Sequence, residues 1–351
     1  MPKIITVIFI AFILSGCATK KPIPKTDFLI ANGQMPNIVK DNKGTLHLVY
    51  GSGDSLMYTF SSNFGNSFSS PSLIAVIPNL AASHTRGPQI ASLNGSLVVI
   101  TCNSAGNIFS FRKEGIKAWH PSNKVNDIDT TAKENLIALS GDNNIAYAVW
   151  LDVRANGKNK IYGSKSIDGG KTWLKNTMVY TSPDSTVCEC CKPSVLVAGN
   201  NINVMFRNWI NGNRDMYLIQ SVDGGSSFKA VQKLGNDSWK LNGCPMDGGG
   251  LAINKNGEIN TVWRRQEKIF TAIPGKPENQ IGTGKGCTIE TMNGENIYAW
   301  TEKSEVIILR PDGKKTIMGK GNSPIIKSLD DKNVLCIWEN NKQIHGSVIE
   351  L

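Results

Sequence analysis

Apolar residues in this chain occur in short runs that favour β-structure, such as "LHLVY" at 46–50 and "AYAVW" at 146–150. Turns rich in Gly, Asn, Asp and Ser separate the runs. The spacing that an amphipathic helix would need is scarce. The pattern therefore predicts an all-β protein built from many short strands.

The runs belong to a repeated unit. The segments 146–173 ("AYAVWLDVRANGKNKIYGSKSIDGGKTW") and 202–228 ("INVMFRNWINGNRDMYLIQSVDGGSSF") align, and 46–68 ("LHLVYGSGDSLMYTFSSNFGNSF") is a weaker copy. Each unit has an apolar strand, a polar loop, a second strand with an aromatic residue and a turn that begins with Ser. Such a unit cannot bury its own apolar faces, so we expect the units to pack against one another in a closed ring.

The turn that ends each unit has a defined chemistry. An Asp or Asn side chain caps backbone N–H groups, a Gly supplies a positive φ, and an aromatic residue packs beneath the turn. The two clear copies put these structural residues at Ser166, Asp168, Gly170 and Trp173 and at Ser221, Asp223, Gly225 and Phe228. In the weaker copy Asn63 takes the place of the aspartate.

These turns match the pattern S-x-D-x-G-x-T-W, and the chain resembles the Asp-box (BNR) repeat proteins of the sialidase-like β-propeller superfamily. The resemblance implies a β-propeller of six or seven four-stranded blades over residues 28–351. One unit is a candidate for an incomplete blade that a strand near Phe28–Ala31 closes. A β-sandwich is the alternative fold, and the repeat argues against it.

Propeller topology also predicts which residues meet. The Asp-box turns mark one face, so the loops between second and third strands and the connections between blades should lie on the other, here called the upper face. The upper face would collect His84, Arg86, Asp152, Arg154, Cys188, Cys190, Cys191, Arg207, Arg214, Asp215, Cys244, Met246, Asp247, Arg264, Arg265 and Cys287.

Three interpretations of "TVCECCKP" at 186–193 remain open. Disulfide bonds among Cys188, Cys190, Cys191, Cys244 and also Cys287 would join neighbouring connections, and a Cys190–Cys191 bond would be strained. A soft-metal site for Cu or Zn would use the same thiolates with Met246 and His84, although Cys-x-Cys-Cys departs from the usual Cys-x-x-Cys pairing. A redox-active thiol beside arginines is the third.

The six arginines Arg86, Arg154, Arg207, Arg214, Arg264 and Arg265 are candidates for binding an anionic ligand, because a guanidinium fork matches a carboxylate. The resemblance to sialidases implies an arginine cluster, an aspartic acid and a tyrosine–glutamate pair. Asp152 or Asp247 is the candidate acid. No tyrosine–glutamate pair stands out, since Tyr217 and Tyr298 lie in strand patterns. We therefore favour binding, with an exo-α-sialidase-type glycoside hydrolase as the alternative.

The N-terminus indicates export. Residues 1–16 carry Lys3, an apolar run and "LSG" before Cys17, which resembles a bacterial lipobox and implies a signal peptide and lipidation of Cys17. Residues 17–27 are a polar, Pro-containing tether. We therefore expect an extracytoplasmic lipoprotein, held by its lipid anchor in the outer membrane.

The net charge of the chain indicates which class of ligand to expect. The 351-residue chain has a formal net charge of +10, which favours an anionic glycan or a small anionic ligand. Basic residues are not interleaved with aromatics, so nucleic acid is not expected. We expect a monomer. Cys102, Cys336, His47, His120 and His345 lie in strand or loop patterns and are interpreted as structural.

Overall fold

The computed structural model describes residues 25–351. The predicted signal peptide, the predicted lipidation site Cys17 and the tether up to residue 24 lie outside these residues. Every regular element within them is a β-strand. Accordingly, residues 25–351 contain no helix with the length and apolarity to cross a membrane.

The structure has 28 strands in the described chain. In chain order they are β1 (Lys25–Asn32), β2 (Gln34–Lys40), β3 (Leu46–Ser52), β4 (Ser55–Ser61), β5 (Ser72–Val76), β6 (Gln89–Leu93), β7 (Ser96–Cys102), β8 (Ile108–Glu114), β9 (His120–Pro121), β10 (Ile137–Asp142), β11 (Ile145–Asp152), β12 (Lys160–Ser166), β13 (Thr177–Tyr180), β14 (Ser194–Ala198), β15 (Asn201–Arg207), β16 (Met216–Ser221), β17 (Gln232–Lys233), β18 (Gly249–Ile253), β19 (Ile259–Arg265), β20 (Lys268–Ala272), β21 (Asn279–Thr283), β22 (Lys285–Met292), β23 (Glu295–Glu302), β24 (Glu305–Leu309), β25 (Lys315–Lys320), β26 (Asn322–Ser328), β27 (Asn333–Asn340) and β28 (Gln343–Glu350).

The strands form seven four-stranded antiparallel sheets, which are the blades of a β-propeller. Six blades use four consecutive strands, from β2–β5 (blade 1) to β22–β25 (blade 6). Blade 7 combines β26, β27 and β28 with β1, whose Phe28 pairs with Gly346. The prediction of a β-propeller is confirmed, its blade number is seven, and the alternative of a β-sandwich was wrong.

Neighbouring blades bury apolar faces against each other. Seven separate core clusters occupy the seven interfaces between blades. At the interface of blades 3 and 4, for example, Val149 of β11 packs with Val204 and Phe206 of β15. Full burial of one such side chain contributes about 1.5–3 kcal/mol. A single blade would leave these faces in water, so closure of the ring is what stabilises each blade.

The predicted Asp-box turns have the expected hydrogen bonds. Asp168 Oδ1 accepts from the backbone N–H groups of Lys171 and Thr172, each at 3.0 Å, and Ser166 Oγ accepts from Gly170 N at 2.9 Å. Gly170 has φ +84°, and a Cβ there would lie 2.2 Å from Val98 of the neighbouring blade. The glycine is therefore needed both for the turn and for contact between blades.

The Ser221–Phe228 turn repeats this geometry. Asp223 Oδ1 accepts from Ser226 N and Ser227 N, and Gly225 has φ +85°. The capping residue of the weaker copy, Asn63, likewise accepts from Ser67 N at 3.1 Å. The aromatic residues that end the two clear turns contribute to the cores between blades.

Candidate functional site

The upper face of the propeller is built from two kinds of segment. Connections from the outer strand of one blade to the inner strand of the next contribute residues 77–88, 181–193 and 234–248. Loops between the second and third strands contribute residues 153–159, 208–215 and 266–267. The candidate residues from the sequence lie in these segments or at the strand ends beside them, except Cys287, which is the third residue of β22.

Asp152 and Arg154 form a buried ion pair in blade 3. The Arg154 guanidinium donates through Nε to Asp152 Oδ1 at 2.9 Å and through Nη2 to Oδ2 at 2.8 Å, and Nη1 reaches Asp127 at 2.7 Å. Burial opposes ionisation of Asp152, but hydrogen bonds from Arg154, Trp150 and Thr131 outweigh it and lower the pKa. The ionised form of Asp152 is therefore favoured, and its candidate role as an acid stays a prediction.

Two further arginines are held by protein acceptors. Arg265 forms a bidentate ion pair with Glu278 and stacks on the Phe270 ring at 4.1 Å. Arg86 donates through Nε to the Glu134 carbonyl at 2.7 Å and lies 3.8 Å from the Glu134 carboxylate. These contacts are those of structural bridges, and a role of Arg86, Arg154 or Arg265 in ligand binding stays a prediction.

Arg207, Arg214 and Arg264 lie together between blades 4 and 5. Arg207 is 2% exposed and donates to the backbone carbonyls of Arg214 and Arg264, each at 2.8 Å. Arg214 Nη1 donates to Cys188 Sγ at 3.0 Å. Arg264 Nη1 lies 3.7 Å from Asp247 Oδ2. Arg264 also pairs with Glu267 at 2.7 Å, and Arg214 lies 3.7 Å from Glu189. The three guanidiniums therefore put positive charge beside the Cys188 sulfur and three carboxyl groups.

Asp247 is 3% exposed and lines the central channel. Burial raises its pKa, while the positive charges of Arg207 and Arg264 and a hydrogen bond from Gly286 N oppose the rise. A carboxyl group with a raised pKa at the wall of a cavity is able to hold a proton and to donate a hydrogen bond. Of the two candidate acids, Asp247 is the one that faces the channel.

The cysteines of the upper face form a compact cluster of sulfur atoms. Cys190 is disulfide-bonded to Cys244 of the next connection, which joins blades 4 and 5, and not to Cys191. Cys188 Sγ lies 3.4 Å from Cys191 Sγ and 3.7 Å from Cys190 Sγ. Cys188 and Cys191 stand at the Cys-x-x-Cys spacing, which the sequence analysis overlooked inside the Cys-x-Cys-Cys order.

Electrostatics distinguish Cys188 from Cys191. The hydrogen-bonding contact with Cys191 lowers the pKa of Cys188 to about 6, burial opposes this, and the charges of Arg214 and Arg207 add to it. Burial raises the pKa of Cys191, and the hydrogen bond to Cys188 raises it further. These shifts favour the thiolate form at Cys188 and the thiol form at Cys191.

The remaining metal and thiol candidates lie apart from this cluster. The potential metal-ligating atoms that lie within 4.8 Å of one another belong to Cys188, Cys190 and Cys191, and His84 is not among them. His84 and Met246 are exposed. Cys287 lines the channel as a neutral thiol whose pKa is raised by burial and by Asp247.

The central channel contains a residue that the sequence analysis missed. Its upper part is a cavity of about 360 Å³, lined by inner-strand residues of all seven blades. Lys192 directly follows the cysteine cluster and enters this cavity, where its Nζ donates to Gln89 Oε1 at 2.9 Å. No carboxylate pairs with Lys192 within residues 25–351, and burial alone lowers its pKa to about 8. The only feature of the sequence that pointed to Lys192 was its position beside the cysteines.

The other charged groups of the cavity are neutralised. Glu290 accepts from Lys327 Nζ at 2.8 Å and from the Ser328 hydroxyl at 3.0 Å. Asp247 lies beside Arg264, as described above. In the described part of the chain, Lys192 is thus a cation without an anionic partner at the wall of a ligand-sized cavity.

No protein-family model and no curated protein matches the sequence. Among solved structures, the chain is similar to the BP39L lectin from Burkholderia pseudomallei, with a TM-score of 0.65, 9% identity and coverage of 92% of this chain and 97% of the lectin. It is also similar to the SapL1 lectin in complex with α-methyl fucoside, with a TM-score of 0.51, 14% identity and coverage of 83% and 97%. The NanB sialidase from Streptococcus pneumoniae matches with a TM-score of 0.48, 11% identity and coverage of 94% and 70%. The likeness to the two lectins, at these identities, shows a shared β-propeller fold.

Proposed function

We propose that the protein is an extracytoplasmic, lipid-anchored β-propeller that binds an acidic carbohydrate at the upper end of its central channel. The observation that carries the proposal is Lys192, a cation in the cavity wall with Gln89 as its hydrogen-bond partner and no carboxylate from residues 25–351 paired with it. An ammonium group has three N–H donors, so donors remain for a ligand. A carboxylate on the ligand would supply the missing negative charge.

The surroundings of Lys192 suit a small polar ligand. The cavity volume of about 360 Å³ falls in the usual range for small-molecule sites. Asp247 and Gln89 add polar groups that match sugar hydroxyls, while Ile90, Val195 and Leu251 provide apolar wall. The ligand would enter from the upper face, where the acidic group meets Lys192 first.

Carbohydrate is the preferred ligand class because two propellers of similar fold are lectins, and one of them is in complex with a fucoside. The acidic group is inferred from Lys192 and from the net charge of +10. The anchor and compartment are inferred from the N-terminal pattern before Cys17, which lies outside the described residues.

The alternative, an exo-α-sialidase-type hydrolase, has less support. The guanidiniums of Arg154 and Arg265 are held by carboxylates, and that of Arg207 by backbone carbonyls. The hydroxyl of Tyr298 in blade 6 lies 2.9 Å from the Thr271 hydroxyl of blade 5, and among residues 25–351 no glutamate hydrogen-bonds to Tyr298. A nucleophile is therefore not apparent among the described residues.

Isothermal titration calorimetry with glucuronic acid, N-acetylneuraminic acid and neutral α-methyl fucoside tests the proposal. We expect at least one acid to bind and Lys192→Gln to weaken that binding roughly 10- to 100-fold, the loss of a charge-assisted hydrogen bond. Lys192→Arg should retain most of the affinity. Lys276→Gln removes an exposed positive charge elsewhere and should change nothing.

Equal affinity of wild type and Lys192→Gln for the acids would refute the channel site. Binding of the fucoside with no binding of either acid would support a carbohydrate-binding protein but would refute an acidic carbohydrate as its ligand. Turnover of a fluorogenic sialoside by the wild type would instead favour the hydrolase.

A further inference from the structure

Four cysteine sulfurs from two connections meet beside blade 4. Cys188, Cys190 and Cys191 come from the connection before β14, and Cys244 comes from the connection before β18. The two connections touch closely, since a Cβ on Gly248 would lie 2.5 Å from the Lys192 carbonyl. Packing of the two connections therefore places the four sulfurs at one site.

The spacing of the sulfurs suits a tetrahedral thiolate site. With metal–sulfur bonds of about 2.3 Å, the ligand sulfurs of a zinc site lie about 3.8 Å apart. Cys188 Sγ is 3.7 Å from Cys190 Sγ and 3.4 Å from Cys191 Sγ, and these three sulfurs all lie within 4.8 Å of one another. Cys244 is bonded to Cys190, so its sulfur is already at the edge of the cluster.

The charge of the surroundings is the second, independent observation. Arg207 is 2% exposed, and the hydrogen bonds of its guanidinium go to backbone carbonyls. Arg214 is 4% exposed and donates to Cys188 Sγ, while Glu189 Oε2, a buried oxygen without a hydrogen-bond partner in the described chain, lies 3.7 Å away. Within residues 25–351 neither guanidinium hydrogen-bonds to a carboxylate, since Glu189 is 3.7 Å from Arg214 and Asp247 interacts with Arg207 only through its charge. Further negative charge nearby would stabilise both, because a buried cation is costly unless it is closely paired.

Thiolates meet that need. Four thiolates around a divalent ion carry a net charge of about −2, which the two guanidiniums of Arg207 and Arg214 would balance. The same four thiolates around Cu(I) would leave an excess of negative charge. The charges of the site therefore favour Zn(II).

We propose that Cys188, Cys190, Cys191 and Cys244 form a tetrathiolate site for Zn(II), which becomes available when the Cys190–Cys244 disulfide is reduced. Arg214 donates a hydrogen bond to one ligand sulfur, and the positive charge of Arg207 lies near the cluster. Reduction and metal uptake exclude the disulfide, so the metal-bound and the cross-linked protein are alternative states. Cys244 is exposed and gives the ion a route to the buried sulfurs.

The chemistry balances with a phosphine as reductant. The phosphine gives two electrons to the Cys190–Cys244 bond and takes an oxygen from water to become the phosphine oxide, and each released sulfur takes one proton. Zn(II) then replaces the thiol protons, which pass to solvent. No other co-reactant is needed, and the site is independent of the carbohydrate proposal.

Native mass spectrometry of the full chain tests this site, with Zn(II) and Cu(I) each supplied alone after treatment with phosphine. We expect reduced protein to gain the mass of a single zinc ion and disulfide-bonded protein to gain none. X-ray absorption at the zinc edge should then show sulfur neighbours at about 2.3 Å. Uptake of Cu(I) without uptake of Zn(II) would overturn the assignment of the metal.

Cys244→Ser is the informative variant because this cysteine is exposed and its loss should not disturb the core. It should weaken zinc binding roughly tenfold or more. Cys287→Ser is the matched control, since Cys287 also lies at the upper face but outside the sulfur cluster, and it should bind zinc as the wild type does. Unchanged affinity in Cys244→Ser would overturn the four-sulfur site.

A measurement on the wild type alone avoids any effect of substitution on folding. Reduced protein is treated with N-ethylmaleimide with and without Zn(II), and the modified cysteines are identified by peptide mass. Zinc should protect Cys188, Cys190, Cys191 and Cys244 and leave the reactivity of Cys287 unchanged. Equal alkylation of the four cysteines with and without zinc would overturn the proposal.

Discussion

Replacement of Arg154 by methionine tests whether the arginines of the upper face are structural. Met keeps much of the apolar stem but removes the two guanidinium bonds to Asp152, at 2.9 and 2.8 Å, and the bond to Asp127. Asp152 is fully buried and the Arg154 side chain is 12% exposed, so solvent screens this pair little. Breaking a buried pair by removing one partner costs about 3–5 kcal/mol.

The remaining contacts of Asp152 set the size of the loss. Trp150 Nε1 and Thr131 Oγ1 still donate to Oδ2, each at 2.8 Å, and the backbone N–H of Arg154 donates to Oδ1. We therefore expect Arg154→Met to lower the free energy of unfolding by about 3 kcal/mol, the lower end of that range. The double variant with Asp152→Asn should recover part of this, with a coupling energy of about 1–3 kcal/mol.

Urea unfolding followed by tryptophan fluorescence measures these differences. Lys117→Met is the control, because the Lys117 side chain is largely exposed and pairs with Glu114 at the surface. This substitution should change the free energy of unfolding by less than about 0.5 kcal/mol. Affinity for an acidic carbohydrate should be the same in Arg154→Met and wild type once both are folded. A loss as small as that of Lys117→Met would refute the structural role, and a loss of affinity with intact stability would assign Arg154 to the ligand.

Two further outcomes concern the fold. Asp168→Ala should lower the free energy of unfolding by about 1–2 kcal/mol. Asp168→Asn should lower it less, because Asn63 makes the same cap in the weaker copy. Equal effects of the two variants in chemical denaturation would contradict the capping role. Burial lowers the pKa of His47 in the folded protein, against the hydrogen bond and charge of Asp41 that raise it. Folding therefore favours the neutral imidazole. The contribution of His47 to the free energy of unfolding is complete above pH about 6.5 and is lost as the pH falls below that value. The melting temperature of wild type should therefore fall more between pH 7 and pH 5 than that of His47→Gln, and parallel curves would show that His47 does not contribute.

Much of the architecture could be predicted from the sequence because it is local. The Asp-box turns are specified by Ser166, Asp168 and Gly170 within a few residues, and their hydrogen bonds are local as well. The alternation of loops between the two faces follows from strand order alone, which is why the cysteine connections were expected at the upper face. The number of blades was not specified, because it depends on the pairing of β1 with β28 across the whole chain.

The candidate site needed the tertiary structure because charges are paired through space. The sequence does not show whether an arginine is paired with a carboxylate. Arg154 is paired with Asp127 and Arg265 with Glu278, and each carboxylate comes from another segment of the chain. Lys192 gave little signal for the opposite reason, since its significance is the absence of such a partner in the cavity. The proximity of Cys244 to Cys190, 54 positions away, likewise depends on how neighbouring blades pack.

The sequence by itself thus determined the strands, their turns and the face on which each connection lies, since short-range propensity and hydrogen bonding decide these. Closure into seven blades and the choice of which charges and sulfurs are left for a ligand were decided only by the tertiary structure. The physical reason is that burial and ion pairing depend on distances between segments that the ring brings together, and a linear pattern does not contain those distances.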